Sequence, residues 1–129
     1  MSTLAGKHNI DIGFEYHSGT LTENAESAVD LIKKINRGNV GLYWQPKGVL
    51  SPKEKRRELL LTPYLIGNLH VHNHTDEDGY QPLSMVKNDL RLYYDDKKDK
   101  PFNLMIEFVN DGSIESLLSD TKVLKDILK

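Results

Sequence analysis

Residues 40–73 read VGLYWQPKGVLSPKEKRRELLLTPYLIGNLHVHN, and this stretch decides the fold. Its two ends have the apolar patterning of strands. Between them, Ser51, Pro52 and Glu54 have the spacing that starts a helix: a capping side chain, a proline at the first helical position and an acid three residues after the cap. The predicted elements are a strand over residues 40–45, a helix that ends near Thr62-Pro63, and a strand over residues 66–73. A strand, a helix and a strand in this order predict two parallel strands joined by a right-handed crossover.

The same alternation extends to both sides of this stretch. Upstream, it predicts a strand over residues 10–16 and a helix that begins at a capping box of Thr20 and Glu23 and ends at Gly38. Downstream, the predicted order is a polar loop over 74–81, a helix over 82–94, a charged run over 95–100, a strand over 102–109 and a helix capped by Ser113. The side chains expected on the inner side of this last helix are Ile114, Leu117, Leu118 and Leu124. Four βα units predict an α/β fold with parallel strands, in a single domain over residues 1–129 without a linker.

The composition excludes several classes of protein. The chain has 129 residues, 28% of them charged, and a formal net charge of -2, which argues against a disordered acidic tail and a basic nucleic-acid binder. It has no apolar run of membrane-spanning length and no secretory signal at its start, so we expect a cytoplasmic protein without a membrane partner. Because there is no cysteine, any metal ion must be bound by histidine, carboxylate or amide side chains.

Polar side chains distinguish two candidate architectures. A doubly wound sheet has central strands that are apolar on both faces, whereas these strands carry polar residues on one face. That pattern favours part of a (β/α)8 barrel, whose strands face a polar site on the inside. A full barrel needs about 250 residues, so four units make about half of one. The open edges of such a sheet predict a homodimer or a complex with a separate half-barrel chain.

Four ligand-capable side chains lie near the carboxyl ends of the predicted strands, on the inner face. They are Glu15, Gln45, His72 and Glu107. Active sites of parallel α/β folds form at this end of the strands. Two carboxylates, an amide oxygen and one imidazole are mostly hard ligands, which favour Mn²⁺ or Mg²⁺ over Zn²⁺. The sequence therefore predicts a divalent metal site.

The alternating histidines His70, His72 and His74 allow more than one interpretation. Alternation places the rings of a strand on one face, which is a common way to present nitrogen ligands. The pattern also occurs in all-β cupin-like metal barrels, although the strong helix signals argue against that fold. His70 can equally be a hydrogen-bonded core residue and His74 a loop residue, so His72 is the predicted metal ligand. By the same alternation, Tyr43 points inward and can line a pocket.

Four segments resemble the last four strands of the xylose isomerase-like TIM barrels, the sugar phosphate isomerase/epimerase group. They are IDIGFEYHSGT (10–20), NVGLYWQP (39–46), NLHVHNH (68–74) and LMIEFVNDGSIES (104–116). The resemblance implies the C-terminal half of a family barrel, with Glu15, Gln45, His72 and Glu107 as metal ligands. It also implies that Glu15 and Glu107 are catalytic, exchanging a proton at a carbon next to a ketose carbonyl. The expected substrate is a sugar or sugar phosphate, contacted by His17, Tyr43 and His70.

The sequence departs from the family pattern at position 45, where the family has aspartate. The uncharged Gln45 removes one negative charge from the site and should weaken metal binding. The basic residue that many epimerases carry after the H-x-H strand is also missing, and so is the first half of the barrel. A catalytically inactive or truncated half-barrel, acting as a sugar- or metal-binding or assembly module, is therefore the alternative to an active isomerase or epimerase.

Overall fold

The computed structural model describes residues 1–62, 65–97 and 102–129. Its helices are α1 (Ser2–Lys7), α2 (Ala25–Ile35), α3 (Pro52–Leu61), α4 (Lys87–Lys97) and α5 (Ile114–Ile127), and a 3-10 helix (Leu83–Val86) precedes α4. Its strands are β1 (Ile12–Glu15), β2 (Val40–Trp44), β3 (Leu65–Val71), β4 (Asn73–Thr75), β5 (Gly79–Gln81) and β6 (Asn103–Ile106). In the described part of the chain, no helix combines the length and the apolar character needed to cross a membrane.

Four strands form one parallel sheet in the order β1-β2-β3-β6. Helices follow β1, β2 and β6, and a small hairpin of β4 and β5 precedes the helices after β3. The α/β class and the parallel strands predicted from the sequence are confirmed. Between β2 and β3 the register shifts, since Leu42 lies opposite Leu65 but Trp44 lies opposite Leu69. Gly67, with a φ of 61°, provides the left-handed conformation at this irregularity.

The outer face of the sheet packs against the helices and forms the core. Leu42, Trp44, Leu69 and Val71 are almost fully buried there, and the ring of Trp44 lies edge-on to Tyr93 of α4, with 5.4 Å between the centroids. Trp44 therefore points toward the helices, on the face opposite to Tyr43. Because successive side chains of a strand alternate between faces, the polar residues between these positions point to the opposite, inner face.

The inner face is closely packed near its middle. A Cβ atom on Gly13 would overlap the ring of Tyr43, so only glycine fits there. The ring of Tyr43 in turn lies edge-on to His70, with 5.5 Å between the centroids. At the level below, Asn103 donates a hydrogen bond to Asn68 at 3.0 Å. These contacts fill the middle of the inner face. The site above them therefore lies at the carboxyl ends of the strands.

The predicted start and end of α2 were wrong by a few residues. The helix begins at Ala25, after a capping box in which Asn24 accepts from the Ser27 backbone N–H and Ser27 accepts from that of Asn24. It ends at Ile35, with Asn36 as its C-cap in the left-handed conformation at φ 47°, and not at Gly38. Asparagine tolerates this conformation better than most residues, so no glycine is needed at that position.

Other predictions were incomplete. The loop expected over 74–81 contains the β4–β5 hairpin, and α1 was not predicted. The helix predicted to end near Thr62-Pro63 ends at Leu61, with Thr62 as its C-cap, and Pro63 lies outside the described residues. Residues 95–97 of the charged run belong to α4, while residues 98–100 lie outside the described residues.

The predicted inner side of α5 was wrong for three of its four residues. Leu124 is buried, but Ile114, Leu117 and Leu118 are 70%, 42% and 65% exposed. The buried residues of α5 are Asp120, Leu124 and Ile127. α5 therefore packs against the rest of the protein through its C-terminal part. Asp120 also accepts a hydrogen bond from the Leu83 backbone N–H.

We expect Ser51→Ala to lower the free energy of unfolding by about 1 kcal/mol, the usual cost of removing an N-cap side chain. Ser51 accepts from the Glu54 backbone N–H, and the Glu54 carboxylate accepts from the Ser51 backbone N–H. Urea denaturation checks the value. Ser84→Ala, at an exposed serine of the 3-10 helix, is the control, and equal stability of the two variants would contradict a capping role for Ser51.

Candidate metal centre

The candidate site lies where the parallel strands end. Glu15 is the last residue of β1, His70 lies near the end of β3, and Glu107 directly follows β6. β1 and β6 are the outer strands of the four, so the two glutamates reach the site from opposite edges of the sheet. Because the strands are parallel, their carboxyl ends lie at the same end of the sheet, and this brings the side chains together.

Glu15, His70 and Glu107 form a compact group. One ligand atom from each residue lies within 4.8 Å of the others. His70 Nδ1 lies 3.6 Å from Glu107 Oε2 and 4.0 Å from Glu15 Oε2. This nitrogen is buried and has no hydrogen-bond partner among the described residues. Burying a polar atom without a partner is costly, and here the unpaired atom faces two carboxylates.

This group fits a divalent cation. Two atoms that bind the same ion at about 2.0–2.3 Å are separated by at most roughly 4.5 Å, so small side-chain shifts would suffice. A cation would satisfy the unpaired nitrogen of His70 and would separate the charges of Glu15 and Glu107. Carboxylate oxygens suit Mg²⁺ and Mn²⁺, and an imidazole nitrogen suits divalent transition metals.

His72, the histidine expected to be a ligand, contacts Glu107. Its Nδ1 lies 3.1 Å from Glu107 Oε2, and the Pro46 carbonyl is a further hydrogen-bond partner of the ring. Burial lowers the pKa of His72, while Glu107 and the Pro46 carbonyl act in the opposite direction. In this arrangement His72 orients the Glu107 carboxylate, and His70 is the histidine that lies between the two glutamates.

Gln45, the fourth expected ligand, is buried at the end of β2. Its Nε2 donates a hydrogen bond to the Tyr16 carbonyl at 3.0 Å, which ties the chain after β2 to the chain after β1. The amide nitrogen therefore has a structural partner. Aspartate could not make this contact, since it has no N–H to donate.

A cavity of about 310 Å³ adjoins the group at Glu107, which is the member of the three that lines it. Its lining also includes His17, Gln45, Lys47, His72 and Tyr80. Its size is at the lower end of small-molecule sites. Of the three expected substrate contacts, His17 lines the cavity, whereas Tyr43 and His70 are not part of the lining that the described residues form.

Two aromatic residues that line this cavity, Tyr80 and Phe108, were not predicted from the sequence. Tyr80 of β5 packs on Phe108, with 4.5 Å between the ring centroids and 31° between the planes. His74 lies edge-on to Tyr80 at 4.8 Å. Burial and the Glu107 carboxylate raise the pKa of Tyr80. The turn signal Asp78-Gly79 before Tyr80 could have revealed the hairpin that brings this ring to the site.

Comparisons with known proteins give one informative similarity. No family model matches this chain, and no curated protein matches it by sequence. Among solved structures, the chain is similar to a xylose isomerase-like TIM barrel protein from Mycobacterium smegmatis in complex with magnesium, with a TM-score of 0.64 and 17% sequence identity. The similarity covers 98% of this chain and 46% of that one. The predicted fold is therefore confirmed: the four βα units are similar to about half of a TIM barrel.

Proposed function

We propose that this chain binds a divalent metal ion through Glu15, His70 and Glu107 and has the chemistry of a sugar or sugar phosphate isomerase or epimerase. The observation that carries the proposal is the buried Nδ1 of His70, which has no hydrogen-bond partner among the described residues and lies within 4.0 Å of both carboxylates. The similar solved structure was determined in complex with magnesium, which supports the same chemistry here.

The residues of the chain have distinct roles in this proposal. Glu15 and Glu107 reach the site from opposite edges of the sheet. One carboxylate can therefore take a proton from a substrate carbon next to a carbonyl, while the other returns a proton to it. When bound, the cation would stabilise the negative charge that develops on the carbonyl oxygen. His72 holds the Glu107 carboxylate in place, and His17, at the cavity wall, contacts the substrate. Gln45 secures the wall through its hydrogen bond to Tyr16.

The expected result for metal binding is a rise in melting temperature with Mn²⁺ or Mg²⁺, because a ligand that binds only the folded state stabilises it. Glu107→Gln and His70→Ala should each remove most of this rise, since each replaces one of three ligands. Calorimetric titration with Mn²⁺ provides the affinity of each variant. Glu77→Gln is the matched control, because it removes an equal charge from an exposed residue of the β4–β5 turn. A rise that persists in both site variants would place the metal elsewhere.

The second candidate function is a metal- or sugar-binding module without turnover. The specific observation in its favour is Gln45, which adds no charge to the site and whose amide nitrogen is engaged by Tyr16. The two candidates differ in a single measurement, since both bind the cation but only an isomerase or epimerase exchanges a substrate proton with the solvent.

A further inference from the structure

Both edge strands of the parallel sheet lack a second neighbouring strand in the described part of the chain. Among the described residues, β1 pairs only with β2, and β6 pairs only with β3. The outer edges of β1 and β6 therefore present backbone N–H and C=O groups without a neighbouring strand. Such edges tend to pair with another chain.

An apolar stripe lies on α5, the helix that follows β6 and contacts it. Ile114, Leu117 and Leu118 have the i, i+3, i+4 spacing of one helical face, and all three are exposed. At the other end of the sheet, Phe14 of β1 is 38% exposed. It lies on the outer face, because its neighbours Gly13 and Glu15 face Tyr43 and His70 on the inner side. An exposed apolar helix face near one edge of the sheet thus corresponds to a partly exposed aromatic ring at the other edge.

The exposed area is large for the mass of the chain. A compact monomer of 14.7 kDa exposes about 6,900 Å². This chain exposes 8252 Å², an excess of about 1,300 Å². Permanent dimers bury roughly 1,000–2,500 Å² on each partner, so the excess has the size of one such interface.

We propose that a second copy of this chain closes the sheet into an eight-stranded barrel. The β6 edge of each copy pairs with the β1 edge of the other, around a two-fold axis parallel to the strands. This symmetry keeps all eight strands parallel and leaves no edge open. The stripe of Ile114, Leu117 and Leu118 then covers Phe14 of the second copy, as a barrel helix covers the next strand. One chain carries both of the complementary edges, β1 and β6. For this reason we take a second copy of the same chain as the partner.

The first test measures the mass of the chain in solution by sedimentation equilibrium at micromolar concentration. The expected mass is twice 14.7 kDa. Leu118→Glu should give a folded monomer, because this side chain is 65% exposed in the single chain and its replacement leaves the core intact. Leu60→Glu, at a 53% exposed leucine of the centrally placed α3, should remain a dimer. A monomeric unmodified chain would overturn the proposal and assign the edges to a different half-barrel.

The second test uses the absence of cysteine from the chain. Phe14→Cys and Leu118→Cys are prepared as separate proteins and oxidised alone and as a mixture. We expect disulfide-linked dimers in the mixture and not in either protein alone, because β1 of one copy meets α5 of the other. Cross-linking of Leu118→Cys alone would show that two α5 helices face each other and would overturn the proposal. Neither test requires metal or substrate, so its failure is separable from failure of the proposed function.

Discussion

Exchange of the C3 proton of a ketose with deuterated solvent is expected to fall about 100-fold or more when Glu107 is replaced by glutamine. Removing a positioned general base costs typically 10²–10⁴ in rate. Glutamine keeps the shape of the side chain but cannot accept the proton. Glu15→Gln should have an effect of similar size, because the two carboxylates approach from opposite ends of the sheet.

Proton NMR of ketoses and ketose phosphates, incubated in deuterated buffer with Mn²⁺, measures this exchange. Two controls separate chemistry from binding. His17→Ala should mainly raise KM, because His17 lines the cavity but lies outside the group of ligand atoms. Glu77→Gln should leave exchange unchanged. If the unmodified chain binds Mn²⁺ but exchanges no proton in any of these sugars, the binding module without turnover replaces the enzyme proposal.

The order of the elements was predictable because several of their signals are local. Ser51, Pro52 and Glu54 begin α3 as expected, since a capping box needs only residues that are close in the chain. The same rule failed at α2, where the box predicted at Thr20 and Glu23 does not start the helix and Asn24 with Ser27 forms one instead. Packing decides between them: Ala25 is fully buried and belongs to the first turn of the helix. A local pattern contains no information about that burial.

The inner face of the site was predictable, but the proximity of His70 to both carboxylates was not. The two-residue period of strands places Glu15, His70 and Glu107 on one face. Which histidine meets the carboxylates depends on the register between strands, and His70 lies opposite Met105, two residues before Glu107. Glu107 Oε2 consequently lies near both His70 and His72, at 3.6 Å and 3.1 Å. The alternation of residues within one strand cannot reveal this offset.

The last helix illustrates a different limit. Apolar spacing predicted that Ile114, Leu117 and Leu118 are buried, and the single chain leaves them exposed. Periodicity identifies a face that needs cover, but it does not say which molecule provides the cover. The proposed second copy would restore the burial that the pattern predicts.

Gln45→Asp is expected to have opposite effects on stability and metal binding. Without metal, the free energy of unfolding should fall by about 1–3 kcal/mol, because the Tyr16 carbonyl loses a buried hydrogen-bond donor. With saturating Mn²⁺ the variant should recover part of this loss, since a third carboxylate at the site raises affinity. Each tenfold gain in affinity adds about 1.4 kcal/mol of stabilisation at a fixed excess of ligand.

Urea denaturation with and without Mn²⁺ measures both effects, and Gln45→Met is the matched control. Methionine also lacks the N–H donor but carries no charge, so it should lose stability without gaining metal affinity. An Mn²⁺-induced stabilisation of Gln45→Asp no larger than that of the unmodified chain would place residue 45 beyond reach of the ion. Gln45 would then serve only to join the ends of β1 and β2, and Glu15, His70 and Glu107 would bind the ion without it.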